Sequence, residues 1–247
     1  MFEMLISEQI CDLGGKEGVT MKERHRQMIA YLKQEKRASV KKLADHFYVS
    51  EMTVRRDLRE LEQQGYLSRY PGGALLSRED EPPIALRRLL RSEEKQKLSR
   101  LTRKHLKDSL TVFLDSSSTC TYLVPHLAEF KEIKVVTNSI PGLLQAAKHQ
   151  IPCVMAGGDY YVHDMCTVGS ETESFLRNIN VDVAFFSALG ISDDGLITDL
   201  DERQTAVRKA VMENAKKKLF LLDHSKQHKK FLYTLCRVED ADEIIML

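Results

Sequence analysis

Long apolar runs are missing from this 247-residue chain, as are the common catalytic and metal-binding signatures. No stretch approaches the ~20 apolar residues that a membrane-spanning helix needs, so no membrane association is expected. The opening segment, MFEMLISEQICDLGGKEGVT, carries Glu3, Glu8 and Asp12 where a secretory leader would have a basic end followed by an apolar stretch. Export is therefore not expected. Cysteine is scarce: Cys11, Cys120, Cys153, Cys166 and Cys236 are odd in number and never spaced C-x-x-C. That argues against a disulfide framework or a zinc knuckle and for a reducing cytoplasm. There is no H-E-x-x-H, G-x-S-x-G or Walker pattern, and His163/Cys166 and His224/His228 are too isolated to suggest a metal site. No catalytic residue, metal or cofactor is expected.

What is present is a well-mixed globular composition, 43% hydrophobic and 30% charged. The length exceeds that of one small domain, and two are expected. The overall charge of +1 conceals a gradient. Residues 21 to 78 hold 13 Lys/Arg against 7 Asp/Glu, a net of +6; residues 1 to 20 carry −3, and residues 79 to 247 carry −2. Only the small basic segment has an electrostatic reason to approach a polyanion.

That segment reads as three short helices. Met28, Ile29 and Leu32 share one stripe; Val40, Leu43, Ala44 and Phe47 share another, behind a capping Ser39; Val54, Leu58 and Leu61 share a third, capped by Ser50. Three helices with tight turns make a helix-turn-helix candidate. At about 100° per residue, Met52, Arg56, Arg59 and Gln63 lie opposite the third apolar stripe, flanked by Thr53 and Arg55. A major groove admits such a helix, and arginines make paired bonds to guanine. After Gln64-Gly65, YLSRYPGGALL alternates around Pro71-Gly72-Gly73 as a β-hairpin wing, with Arg69 placed to meet phosphate. Any one of these arginines is more simply a solvated helix face, and Met52 and Tyr70 could equally be packing residues. The coincidence of cap, arginine row, wing and local charge favours duplex DNA.

SREDEPPIALRRLLRSEEKQK, with Pro82-Pro83, reads as a linker into a second domain, with a boundary near residue 78. Ser92-Glu93-Glu94 opens a helix running through Leu98, Leu101 and Leu106. Beyond Thr111, short apolar runs (TVFLD, KVVTN, PCVMAGG, DVAFFSALG, LFLLD, DEIIML) alternate with helical ones, among them CTYLVPHLAEF, which Pro125 should kink, and DERQTAVRKAVMENAKK. This is the pattern of an α/β fold with a largely parallel sheet, whose ligands sit at the carboxyl ends of the strands. Small polar residues collect there: Asp115, Ser116, Ser117, Ser118 and Thr119; Thr137, Asn138 and Ser139; Gly157 and Gly158; Asp223 to Lys226. Each cluster is ordinary turn chemistry by itself. Together they suggest a pocket for a phosphorylated sugar or polyol, the hydroxyls and N–H groups of 116–119 cradling phosphate and Lys226 pairing with it.

The stretch from Arg24 to Ala74 resembles the DNA-binding domain of DeoR-family transcriptional regulators. It matches VS-x-x-T-[IV]-R-R-D-L at Val49, Ser50, Thr53, Val54, Arg55, Arg56, Asp57 and Leu58, and L-E-x-x-G-x-L-x-R followed by G-G-A at Leu61, Glu62, Gly65, Leu67, Arg69, Gly72, Gly73 and Ala74. Pro71 stands where the family usually has His, which implies a stiffer wing. The remainder is similar to the family's effector domain, whose fold is that of ribose-5-phosphate isomerase. It matches at Asp115, Ser118-Thr119, Thr137-Asn138-Ser139, Gly157-Gly158, Asp182, Ala184-Phe185, Gly190-Ile191, Asp223 and Ser225-Lys226, with Ser117 and Ser187 in place of glycines and Arg208 where Lys is common. Family members typically begin near Met21 and continue further at the other end, so residues 1 to 20 are expected to be an extension and the last part of the sheet to be missing or differently closed.

Helix face, wing and resemblance together give an expected DNA-contact set of Ser50, Met52, Thr53, Arg55, Arg56, Arg59, Arg69, Gly72 and Gly73. The resemblance adds Gly190 to the effector set already named. The expected organisation is an extension over 1–20, a winged helix-turn-helix over 21–77, a linker over 78–91 and an α/β domain over 92–247. The expected function is that of a homo-oligomeric repressor of a carbohydrate operon, binding operator DNA and answering to a phosphorylated sugar. Two rivals are a sugar-phosphate isomerase or hydrolase on the same scaffold and an architectural DNA binder whose larger domain only dimerises. For the enzyme, Asp193, Asp194, Asp199, Asp201 and Glu202 offer carboxylates and Lys209 or Lys226 a cation. ISDDGLITDLDE reads more simply as a solvated turn followed by a helix cap.

Overall fold

The structure, a computed structural model, describes residues 23–35, 37–63, 66–75, 84–88 and 90–247. The expected extension over 1–20, the helix end at Gln64-Gly65 and the Pro82-Pro83 pair lie outside the described residues. The chain divides into two compact units, Met1–Leu86 and Arg87–Leu247. None of the described helices is long and apolar enough to cross a membrane.

In the first unit, helices α1 (Glu23–Glu35), α2 (Val40–Phe47) and α3 (Glu51–Gln63) enclose a small core. Met28, Leu32, Leu43, Val54, Leu58 and Leu61 are its most deeply buried side chains, which are the three stripes legible in the sequence. Ser39 Oγ accepts from Lys42 N at 3.1 Å, and Ser50 Oγ accepts from Thr53 N at 3.2 Å, so both expected caps form. Strand β1 (Arg37–Ser39), absent from the sequence reading, joins the wing strands β2 (Ser68–Tyr70) and β3 (Gly73–Leu75) in an antiparallel sheet ordered β1-β3-β2. Three-residue strands carry too little alternation to be recognised alone. A four-residue helix, α4 (Ile84–Arg87), follows.

The second unit opens with α5 (Ser92–Leu101). Its core is a six-stranded parallel sheet of β4 (Thr111–Leu114), β5 (Lys134–Thr137), β6 (Cys153–Met155), β9 (Val183–Phe186), β12 (Lys218–Leu222) and β14 (Glu243–Met246), ordered β14-β12-β9-β4-β5-β6. Successive residues feed opposite faces. Val112, Leu114, Val183, Phe185, Leu219 and Leu221 pack on one side, and Phe113, Ala184, Phe186, Phe220 and Leu222 on the other. Burial on both faces explains why these strands read as unbroken apolar runs.

Helices α6 (Ser118–Thr121), α7 (Val124–Leu127), α8 (Ile140–Lys148), α9 (Ser170–Arg177) and α10 (Glu202–Met212) lie between the strands in sequence. A hairpin, β7 (Asp159–Tyr161) with β8 (Cys166–Val168), and an antiparallel sheet of β10 (Gly190–Ile191), β11 (Leu196–Asp199) and β13 (Tyr233–Arg237) complete the unit.

Three local expectations need correction. CTYLVPHLAEF is two four-residue helices with Pro125 in the first turn of the second, so the proline starts a helix where a kink was expected. The helix expected to reach Leu106 stops at Leu101, which is 46% exposed; a 3₁₀ turn over Thr102–His105 follows, and Leu106 is buried beyond it. In ISDDGLITDLDE only Asp193 and Asp194 occupy a solvated turn: LITD is strand β11, and Asp199 at its end is buried.

Candidate nucleic-acid interface and candidate effector crevice

The outward side of α3 carries Met52, 81% exposed, and Arg55, Arg56 and Arg59, all exposed, with Ser50 at the cap and Thr53 half-buried beside it. Arg55 Nη2 donates to Glu51 Oε2 at 3.2 Å, and Arg56 Nε lies 4.0 Å from Glu60 Oε1. Exposed pairs one turn apart are worth only a few tenths of a kcal/mol, so a phosphate or a base edge can displace them. Arg69 is more firmly engaged. Its Nε donates to Glu62 Oε2 at 2.6 Å and its backbone N–H to Glu62 Oε1 at 2.8 Å, which ties the wing to α3. At the wing tip Gly72 adopts φ 92°, and its carbonyl accepts from Val40 N at 2.8 Å. Gly73 is buried, and a Cβ there would meet Ala38 O and Tyr70 Oη at 2.4 Å.

Beneath that face, Asp57 joins α3 to α1. Arg24 Nε donates to its Oδ2 at 2.6 Å, and His25 Nε2 lies 3.4 Å from its Oδ1. Burial raises the Asp57 carboxyl, but the Arg24 and His25 interactions outweigh it and hold the group below the usual carboxylate range.

In the second unit, β5 and β6 are added on one side of β4 and β9, β12 and β14 on the other, so the carboxyl end of β4 is the topological switch point. Asp115 to Thr119 leave the sheet at that point. Asp115 Oδ1 accepts from Ser117 N and Oδ2 from Ser187 N, both at 2.9 Å, with Arg208 Nε at 3.2 Å from Oδ2. Ser117 caps α6 at φ −70° and donates no special geometry, so the glycine of the resembled pattern is not required for the backbone to turn here. Ser187 Oγ donates to Leu221 O at 2.9 Å.

Arg208 also donates to Asp199, and Gln204, one turn earlier on α10, accepts from Ser116 Oγ at 2.7 Å and donates to Asp164. Arg87 and His163 complete the surroundings of Asp164. Burial pushes that carboxyl up, yet the Arg87 charge and the His163 and Gln204 bonds hold it below its ordinary range.

The remaining effector residues divide into scaffold and lining. Thr137 Oγ1 donates to Leu114 O and accepts from Ser139 N, Ser139 caps α8 through Gly142 N, and Asn138 Nδ2 donates to Thr167 O. The hydroxyls of Ser118 and Thr119 make no hydrogen bond among the described residues, although both residues are buried. Gly157 has open space where a Cβ would sit; Gly158, at φ 133°, has Thr172 Oγ1 within 2.0 Å of that position. Gly190 pairs with Thr198 and packs under Lys229 O, a structural place in the antiparallel sheet. Lys226 is half-buried in the 3₁₀ turn that Asp223 caps.

Lys95 was not anticipated. It is 7% exposed on α5, and its Nζ donates to the carbonyls of Arg87 and Leu90. Burial first, then the positive charges of Arg87 and Lys226, opposed by Asp223, push it down to about 7. The signal was available: Lys95, Leu98, Ser99 and Thr102 fall at i, i+3, i+4 and i+7, a cation on a buried stripe. Gln204 and Arg208 are likewise a buried i, i+4 pair. Burial disfavours the thiolate form of each described cysteine. Burial pushes Cys153 up to about 11, Cys166 and Cys236 up to about 12, and Cys120 well above its ordinary value.

Two family models match the chain: the DeoR-like helix-turn-helix domain over residues 24–79 and the DeoR C terminal sensor domain over residues 90–246. The glycerol-3-phosphate regulon repressor of Escherichia coli is 27% identical over 224 residues, covering 90% of this chain and 89% of that protein. The transcriptional repressor AccR of Agrobacterium fabrum is 27% identical over 227 residues, covering 90% and 88%. Among solved structures, ribose 5-phosphate isomerase A of Methanocaldococcus jannaschii aligns with a TM-score of 0.40 at 21% identity, over 55% of this chain and 54% of that one. With both units matched in order, the chain belongs to the DeoR family of transcriptional repressors, regulators rather than enzymes, in which a DNA-binding helix-turn-helix domain precedes a sensor domain for a small-molecule effector.

Proposed function

We propose that the chain represses a carbohydrate-metabolism operon and that a phosphorylated sugar or polyol is the effector. The head over 21–77 reads duplex operator DNA, the segment 78–91 links it to the sensor over 92–247, and two or more copies supply the half-sites that one head cannot span. Arg56 and Arg59 meet base edges, Arg55 and Ser50 meet backbone, and Met52 and Thr53 make apolar contacts in the groove. The wing approaches phosphate through the Gly72-Gly73 backbone, with Arg69 held in place by Glu62.

One observation carries the effector assignment. A nearly sealed lysine, Lys95, has Arg87, Arg91 and Lys226 close enough to depress it, in the same unit as a switch-point loop whose Ser118 and Thr119 hydroxyls have no protein partner among the described residues. Asp164 and Asp223 pair with Arg87 and Arg91, yet burial still disfavours the Lys95 ammonium, and a ligand's negative charge would favour its charged form. A phosphate supplies that charge, while Asp115, Ser116, Ser117, Thr137, Asn138 and Ser139 hold the loop in shape, Gly157 and Gly158 keep backbone near the sugar, and Gly190 holds its place in the antiparallel sheet. Effector binding favours the state that fits the operator poorly and so lowers DNA affinity. The test is a gel shift on DNA upstream of this gene and its neighbours with a panel of phosphorylated and unphosphorylated sugars. Release by a phosphorylated member alone is the expected result; equal release by the unphosphorylated sugar would remove the phosphate from the reading.

A further inference from the structure

The buried joint between α1 and α3 has a feature that neither DNA reading nor effector sensing uses. One ligand atom each from His25, Asp57 and Glu60 lies within 4.8 Å of the other two. The His25 and Asp57 residues are almost wholly sealed, and His25 Nε2 and Asp57 Oδ1 have no hydrogen-bond partner among the described residues. Buried polar atoms without partners are rare and costly. We propose that these three side chains form a site for a divalent transition-metal ion of the zinc class, bound at the root of the recognition helix.

The spacing supports an ion over a proton. Nε2 lies 3.4 Å from Asp57 Oδ1 and 3.7 Å from Glu60 Oε2, beyond a good N–H···O bond in both directions. Ligand atoms placed tetrahedrally about 2.1 Å from a zinc ion stand roughly 3.4 Å apart. One imidazole and two carboxylates are a donor set for zinc, cobalt or nickel, with an open position for water. Arg24 holds the other Asp57 oxygen at 2.6 Å and so fixes the carboxylate from outside, as an outer partner does. Arg24 and Arg56 also oppose a cation, which sets the affinity below that of a closed structural zinc site. Binding would draw Glu60 from Arg56, 4.0 Å away, and leave that arginine to the groove.

The test uses the full-length, reduced protein, with zinc and cobalt as probes. Zinc is expected to bind one per chain and raise the melting temperature, and cobalt to give a visible ligand-field band without the near-ultraviolet band of thiolate ligation. Glu60→Gln, at a half-exposed position that tolerates change, is expected to weaken zinc binding roughly 10–100-fold while leaving the metal-free melting temperature in place. His25→Gln is expected to abolish binding. No uptake at millimolar metal, or uptake unchanged in Glu60→Gln, would overturn the proposal, the second result by placing the ion elsewhere.

Discussion

Arg208 and Lys95 are both buried cations, yet they do opposite things. Arg208 sits between Asp115 and Asp199, so removing it strands two carboxylates in a low-dielectric interior. Arg208→Met is expected to cost about 3–5 kcal/mol, which at 2–4 °C per kcal/mol is a fall of roughly ten degrees in the melting temperature. A melt within two or three degrees of wild type would show that the network is not under that constraint. Lys95 has carbonyls and other cations around it, and its folded value of about 7 lies below the ordinary 10.5. Between those two values the unfolded chain binds more protons than the folded one, so this residue makes stability rise as pH rises. Wild type is therefore expected to gain in melting temperature over Lys95→Met from pH 7 to pH 10, with no relative gain below pH 6. Sugar-phosphate binding at pH 8 is expected to take up protons in wild type and not in Lys95→Met, because the anion returns Lys95 to its charged form. Calorimetry in buffers of different ionisation enthalpy would detect this; identical heats after buffer correction would count against contact between Lys95 and phosphate.

Among the elements, α3 and the wing show what a pattern can and cannot convey. The arginine row on α3 was legible because helical periodicity alone puts Arg56 and Arg59 opposite Val54, Leu58 and Leu61. Arg56→Ala is expected to weaken operator binding by roughly 1–3 kcal/mol and to relax discrimination between base pairs; a gel shift unchanged by it would remove the helix from the groove. The wing was legible from its Pro-Gly-Gly turn, but the reason for its second glycine was not. Gly73→Ala drives a Cβ against the Ala38 carbonyl, which belongs to β1 and cannot swing away as Tyr70 can. The wing should then detach from β1, with a loss of both head stability and DNA affinity, measured by the melt and the gel shift together. The short helices after β4, the strand LITD and the hairpin β7–β8 were misread or missed because runs of three or four residues carry too little period to separate strand from helix from turn.

For the whole molecule, the separation of a cationic head from a nearly neutral body is a statement about two binding equilibria in one chain. An effector that binds only the folded sensor should stabilise it by about 2.7 kcal/mol at a hundred times its dissociation constant, and the same titration should weaken operator binding by its differential affinity for the two states. Stabilisation by the sugar phosphate with no change in DNA affinity would uncouple the units.

The sequence by itself determined the helix-turn-helix, the arginine row, the parallel sheet and the loop at its switch point, because each depends on order along the chain: periodicity, caps, turn residues and charge per segment. Only the tertiary structure decided that Asp115, Asp164, Asp199, Gln204 and Arg208 share one buried network, that Lys95 is sealed among cations, and that His25 faces Asp57 and Glu60. Those depend on distances between residues far apart in the chain, Asp115 and Arg208 being separated by 93 positions, and a charge acts through space and local dielectric whatever its place in the chain.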